Sequence, residues 1–240
     1  MEKKILYTRE WGSGDRVAVL IHGMITDSTS WHEVGPALAE KGYRVIAPDL
    51  PGHGRSPAPD GGLTLGDAAE LLLRTVPAEP ELAIGHSLGG VVLAAAVERL
   101  RPARAVYVDP PQRLDDGGHG LESAIAYLEK RRASRTPETL RRDRPSWPER
   151  DALNEVEAAL RWDTTSTATL LASAVGRDLA PVAVVPSLLI RADPSEYVPD
   201  DAAVDRLTRA GLTVRTMAGA GHTVWYGRLP DFLSALDGWI

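Results

Sequence analysis

The chain contains no cysteine, which excludes a disulfide framework, a thiolate metal site and a cysteine nucleophile. It lacks an excess of positive charge. The net charge of −6 opposes a polyphosphate partner, because nucleic-acid binding draws on a basic stripe to displace counterions. No apolar run approaches the roughly 20 residues that a membrane span needs. The first residues, Met1-Glu2-Lys3-Lys4-Ile5-Leu6, are basic but lead into no apolar segment, unlike a signal peptide. A soluble, cytoplasmic protein without nucleic-acid or membrane partners is the expectation. What remains is ordinary for a globular domain: 43% hydrophobic and 25% charged residues, 22 Gly and 18 Pro in 240 residues. That length suits one domain carrying an insertion.

Short β-rich runs alternate with helical patterns. Residues 16–21 (RVAVLI), 43–47, 81–84, 104–108, 187–191 and 212–217 are near-continuous apolar stretches bounded by Gly, Pro or Asp, as strands covered on both faces should be. Helices are predicted over 30–40, 64–76, 87–100, 200–210 and 229–240, with Thr64 and Asp200 as N-caps. This alternation predicts an α/β fold, a mostly parallel sheet with helices on both faces. Residues 4–11, followed by Gly12-Ser13-Gly14-Asp15, are predicted to form an antiparallel hairpin strand leading into it.

The rhythm stops between 110 and 181, where helical stretches follow one another without a strand. The division expected is a core of 1–109 and 182–240 with a helical cap insertion at 110–181, above the edge where such sheets bind ligands. Residues 130–150 within it hold eight basic and three acidic side chains. A solvated helix pair is the plainer account of that run, and an anion site the alternative.

The strongest chemical signal is Gly85-His86-Ser87-Leu88-Gly89. This G-x-S-x-G lies directly after the strand ELAI and directly before the helical run LGGVVLAAAVERL. A serine on such a turn adopts a strained backbone that lifts Oγ out of the sheet, and small neighbours let backbone approach it. A structural turn with Ser87 as a helix cap is the plainer alternative.

Together with three other motifs, this segment resembles the α/β-hydrolase fold superfamily over nearly the whole chain. Those motifs are His22-Gly23-Met24 after RVAVLI, Asp49-Leu50-Pro51-Gly52-His53-Gly54-Arg55-Ser56, and Gly219-Ala220-Gly221-His222 near the C-terminus. The resemblance implies Ser87 as nucleophile, His222 as general base, and the amides of Met24 and Leu88 as the oxyanion hole. His22 is expected to shape the oxyanion loop, and His53 to serve the Asp49 turn. His86 should diverge from Ser87, while His32 and His119 are read as surface or cap residues.

The acid departs from the family pattern. Counting back from Val198-Pro199 puts Ser195 where the family's aspartate usually falls. Asp193, in Ala192-Asp193-Pro194, is taken as the acid, with Asp109 in Val108-Asp109-Pro110 and Glu196 as alternatives. The mechanism implied is cleavage of an ester, lactone or thioester of a small molecule through an acyl-enzyme, without metal or cofactor. C–C bond hydrolysis, another reaction on the same triad, and a ligand receptor are the alternatives. Trp31, Tyr127, Trp147 and Trp162 are candidates for the substrate pocket, although core burial is the commoner fate of Trp.

Overall fold

The computed structural model describes residues 6–114, 120–198 and 200–240. Seven strands, β1 (Thr8–Trp11), β2 (Arg16–Ile21), β3 (Tyr43–Pro48), β4 (Leu82–His86), β5 (Arg104–Val108), β6 (Ser187–Asp193) and β7 (Thr213–Ala218), form one sheet in the order β1-β3-β2-β4-β5-β6-β7. Every neighbouring pair is parallel except β1 with β3. The first strand is therefore antiparallel, but it does not form the predicted hairpin with β2. It pairs with β3 at the far edge, Thr8 opposite Pro48 and Trp11 opposite Val45, because β2 is already flanked by β3 and β4.

The two-residue period of a strand divides the core into two layers. In β2, Val19 and Ile21 face one layer, which α2 (Leu65–Thr75), α3 (Leu88–Leu100) and α8 (Asp201–Arg209) complete. Ala18 and Leu20 face the other, closed by α1 (Val34–Glu40) and α9 (Leu229–Ala235). Strands buried on both faces keep the apolar residues on both, so each run reads as continuous rather than alternating. The predicted caps are in place. Thr64 and Asp67 form a reciprocal capping box, and Asp200 accepts from Ala203 N. The last helix ends at Ala235, five residues before the predicted stop.

Among the described residues, four helices lie between β5 and β6: α4 (Gly120–Ala133), α5 (Pro137–Asp143), α6 (Glu149–Leu160) and α7 (Thr164–Ala174). The helix α7 is fastened to the core by backbone-to-side-chain bonds, Leu63 N to Thr169 Oγ1 and Leu65 N to Ser173 Oγ. In α6 the residues turned inward at helical spacing are Asp151, Asn154, Glu155, Ala158 and Ala159. Its buried stripe is thus mostly polar, the reverse of an ordinary amphipathic helix.

Candidate active site

Ser87 stands between the last residue of β4 and the first of α3, at φ 51° and ψ −119°. A side chain in this region costs of order 1–3 kcal/mol unless its surroundings enforce it. Here they do. Ser87 N donates to Val108 O, and Ser87 O accepts from Gly90 N and Val91 N. A Cβ on Gly89 would lie 2.3 Å from Ile21 O and 2.4 Å from His22 O, so the first turn of α3 can reach β2 only without a side chain. Ser87→Gly should remove the strain and stabilise the fold by about 1 kcal/mol, seen as a higher midpoint in urea unfolding. An unchanged or lower midpoint would mean that the turn is not strained.

The turn after β2 is held from both sides. His22 Nδ1 faces Gly23 O at 2.8 Å, while His22 Nε2 accepts from Leu50 N at 2.8 Å. Thr26 Oγ1 also donates to Gly23 O, and His53 Nε2 lies 2.6 Å from Met24 O. With both carbonyls tied down, the Gly23–Met24 peptides have fixed orientations. A Cβ on Gly23 would meet Ser87 Cβ at 3.2 Å and His86 Nδ1 at 2.9 Å, which places this turn against Ser87. Among the described residues, neither Met24 N nor Leu88 N has a hydrogen-bond acceptor outside its own helix or strand. Asp49 organises the neighbouring loop, accepting from Ser28 N and Arg55 N.

His222 follows β7. Its Nδ1 lies 2.7 Å from Asp109 Oδ2, which assigns the ring proton to Nδ1 and leaves Nε2 as the free nitrogen. Asp109 is 1% exposed and turns sharply at φ 44° after β5. Its second oxygen accepts from Ala192 N at 3.2 Å and from Ser195 Oγ at 2.6 Å. Ser195 Oγ in turn accepts from Tyr197 N and Val198 N. The carboxylate beside His222 is therefore Asp109, and the expectation of Asp193 is corrected. Asp193 belongs to β6, opposite Ala218 of β7, and its carbonyl accepts from Gly219 N. The left-handed turn at Asp109 brings its carboxylate across the end of β6, and Ser195 holds it there.

Ser87, His222, His86, Gly23 and Met24 line one cavity of about 140 Å³. The helical insertion lines much of the rest: Arg131 near the end of α4, Arg135 just after it, Arg144 and Trp147 after α5, and Glu155 from α6, with Tyr197 from the loop after β6. Sequence reasoning missed Arg131, Arg135, Glu155 and Tyr197 as cavity residues. The polar buried stripe of α6 was a readable signal for Glu155.

Of the predicted pocket aromatics, Trp147 lines this cavity and the other three lie elsewhere. Trp31 is wholly buried, stacked on Trp225 at 4.2 Å. Trp162 is 1% exposed, donates to Thr167 Oγ1 and packs with Ile25 and Leu128. Both fill core volume because a large ring buries the most apolar area there. Tyr127 is 58% exposed and borders a separate apolar cavity between α4 and α7. His32 is half-buried, near Asp151 and Asn154, and His119 lies outside the described residues. His32, Glu33 and Asp151 bring possible ligating atoms within 4.8 Å of one another, apart from the cavity just described.

Burial pushes His22, His53 and His86 below the ordinary histidine value, His53 to about 4. His53 faces two carbonyls, Pro51 O at 3.0 Å and Met24 O at 2.6 Å, which favours its charged form, but desolvation is the larger effect. The shorter contact assigns its single proton to Nε2. An unfolded chain would protonate these rings near 6.5, so their contribution to stability is present above that pH. For His53 it is lost as pH falls from 6.5 toward 4. Asp151, pushed up to about 7 by burial and Glu33, acts in the opposite sense, its contribution fading as pH rises from about 4 toward 7. His53→Asn should flatten the pH 4–6.5 limb of a stability profile by up to about 1.4 kcal/mol per pH unit. Urea unfolding across that range checks it, and an unchanged slope would contradict a neutral His53.

The chain belongs to the alpha/beta hydrolase family, whose sequence profile matches residues 18–235. A 2-succinyl-6-hydroxy-2,4-cyclohexadiene-1-carboxylate synthase of Escherichia coli O157:H7 is 37% identical over 124 residues, 49% of this chain and 44% of the relative. A pimeloyl-[acyl-carrier protein] methyl ester esterase of Sodalis glossinidius is 38% identical over 94 residues, 39% and 35% of the two chains. These matches thus span less than half of either relative. The bromoperoxidase of Bacillus anthracis superposes with a TM-score of 0.79 at 23% identity, over 98% of this chain and 94% of that one, a likeness of fold. Among the described residues, no helix is long and apolar enough to cross a membrane.

Proposed function

We propose that this protein is a serine hydrolase acting on an ester-like bond of a small molecule, with Ser87 as nucleophile, His222 as general base and Asp109 as the acid. The observation that carries this reading is the 2.7 Å bond from His222 to Asp109, on a histidine that shares one cavity with the strained Ser87. In the reaction, Nε2 of His222 takes the Ser87 proton as Oγ attacks the carbonyl, and Asp109 stabilises the imidazolium. The amides of Met24 and Leu88 receive the charge on the tetrahedral oxygen; removing one such donor typically costs about 10²–10³ in kcat. Collapse expels the alcohol, which takes its proton from His222, and water activated by the same ring clears the acyl-enzyme. The insertion 110–181 forms the cover over this cavity and sets which acyl and alcohol groups enter.

The test is a panel of 4-nitrophenyl esters and lactones of graded size, with a fluorophosphonate probe alongside. Turnover and stoichiometric labelling of Ser87 support the reading; absence of both overturns it. The synthase among the relatives supports a second reading, in which the same three residues catalyse a reaction other than hydrolysis. Serine labelling without turnover of any ester or lactone would favour it.

A further inference from the structure

We infer that the substrate carries a carboxylate, bound by Arg131 and Arg144 in the part of the cavity that the helical insertion lines. The inference rests on the proposed function for the position of the reacting bond. Three guanidinium groups, those of Arg131, Arg135 and Arg144, line the cavity with two carboxyl groups, Asp143 and Glu155. Arg135 is already matched, in an oblique ion pair with Glu155 at 2.7 Å. Asp143 is engaged by Arg142, through Nε at 2.7 Å and Nη2 at 3.2 Å. Asp109 lies behind His222 with its three hydrogen bonds made.

Among the described residues, neither Arg131 nor Arg144 forms a direct ion pair, although the charge of Arg144 also acts on Asp143 and Glu155. The contacts of Arg131 are neutral, the Tyr127 hydroxyl at 3.2 Å and the Tyr127 ring. Arg144 lies over Trp147, 5.8 Å from the ring centroid. Arg144 is itself exposed and Arg131 partly so, but the two border the same cavity as Ser87 and His222, from the ends of two different helices. Burial pushes Glu155 above the ordinary carboxylate range, against the pull of Arg135 and Arg144. A guanidinium fork matches a carboxylate in geometry as well as charge. A substrate with a free carboxylate at one end and an ester-like carbonyl at the other would span the cavity from these arginines to Ser87.

The test compares 4-nitrophenyl hydrogen adipate, which is anionic, with its neutral methyl-capped analogue, 4-nitrophenyl methyl adipate. Wild type should favour the anion in kcat/KM by about tenfold or more, and added salt should compress the ratio. In Arg131→Met/Arg144→Met the ratio should fall toward one, mainly through KM. Binding of adipate itself to Ser87→Ala, followed by calorimetry, should be saturable and should vanish when the two arginine changes are added. Equal or better turnover of the neutral ester, with no adipate binding, overturns the inference. Adipate binding through the two arginines without turnover of either ester leaves this site standing and removes the hydrolase reading. Should the double variant fail to fold, the wild-type ratio and its salt dependence decide.

Discussion

Asp109→Asn should lower kcat by about 10⁴-fold, as the equivalent change does in serine proteases, while Asp193→Asn should stay within a few-fold of wild type. The amide would still sit at the end of β5, but it can present an N–H where Nδ1–H of His222 needs an acceptor. The ring then turns or changes tautomer, and the imidazolium formed during attack loses its counter-charge. Asp193 makes no bond to His222, so its loss should register mainly in stability. Ser195 sharpens the test, because its hydroxyl already lies 2.6 Å from Asp109 Oδ1. A carboxylate at 195 enters the same space from the neighbouring strand end. Asp109→Ser/Ser195→Asp should therefore recover activity relative to Asp109→Ser alone. A crippled Asp193→Asn beside an active Asp109→Asn would sink the assignment.

Ser87→Ala should lose turnover by about 10⁶-fold, the scale seen when the nucleophile of a serine protease is removed, together with all fluorophosphonate labelling. The Cβ is kept, so the strained turn and its bonds to Val108 O and Gly90 N persist. Thermal unfolding should therefore stay close to wild type. A variant that hydrolyses every wild-type substrate at a comparable rate would remove Ser87 from the chemistry.

Much of the fold was legible because strands buried on both faces leave long apolar runs, and all six such runs are strands in the sheet. The pairing of β1 was not. Its own sequence states that it is extended, but its partner depends on which sheet edge is vacant after β2, β3 and β4 have assembled. Ser87 was legible because a strand, a tight turn and a helix had to coincide around it. His222 was legible by position, after the last strand. The acid was ambiguous for a physical reason: Asp109 and Asp193 both end strands before proline, and only the left-handed turn at Asp109 decides which carboxylate crosses to the ring. The tryptophans misled because the same bulk suits a core and a pocket. Trp31 and Trp162 went to the core, while Trp147 reached the cavity wall.

The polar inner stripe of α6 bears on how the insertion can part from the core. Around α4 and α7, Leu128, Trp162 and Ala168 pack with Ile25 in an apolar cluster, and separating that side would wet oily surface. Along α6 and its end, Asp151 accepts from Gly227 N, Asn154 donates to Thr29 O and Arg161 pairs with Asp27. Water can replace each of those partners at small net cost. The two sides of these helices are thus held differently, by apolar packing around α4 and α7 and by polar contacts along α6.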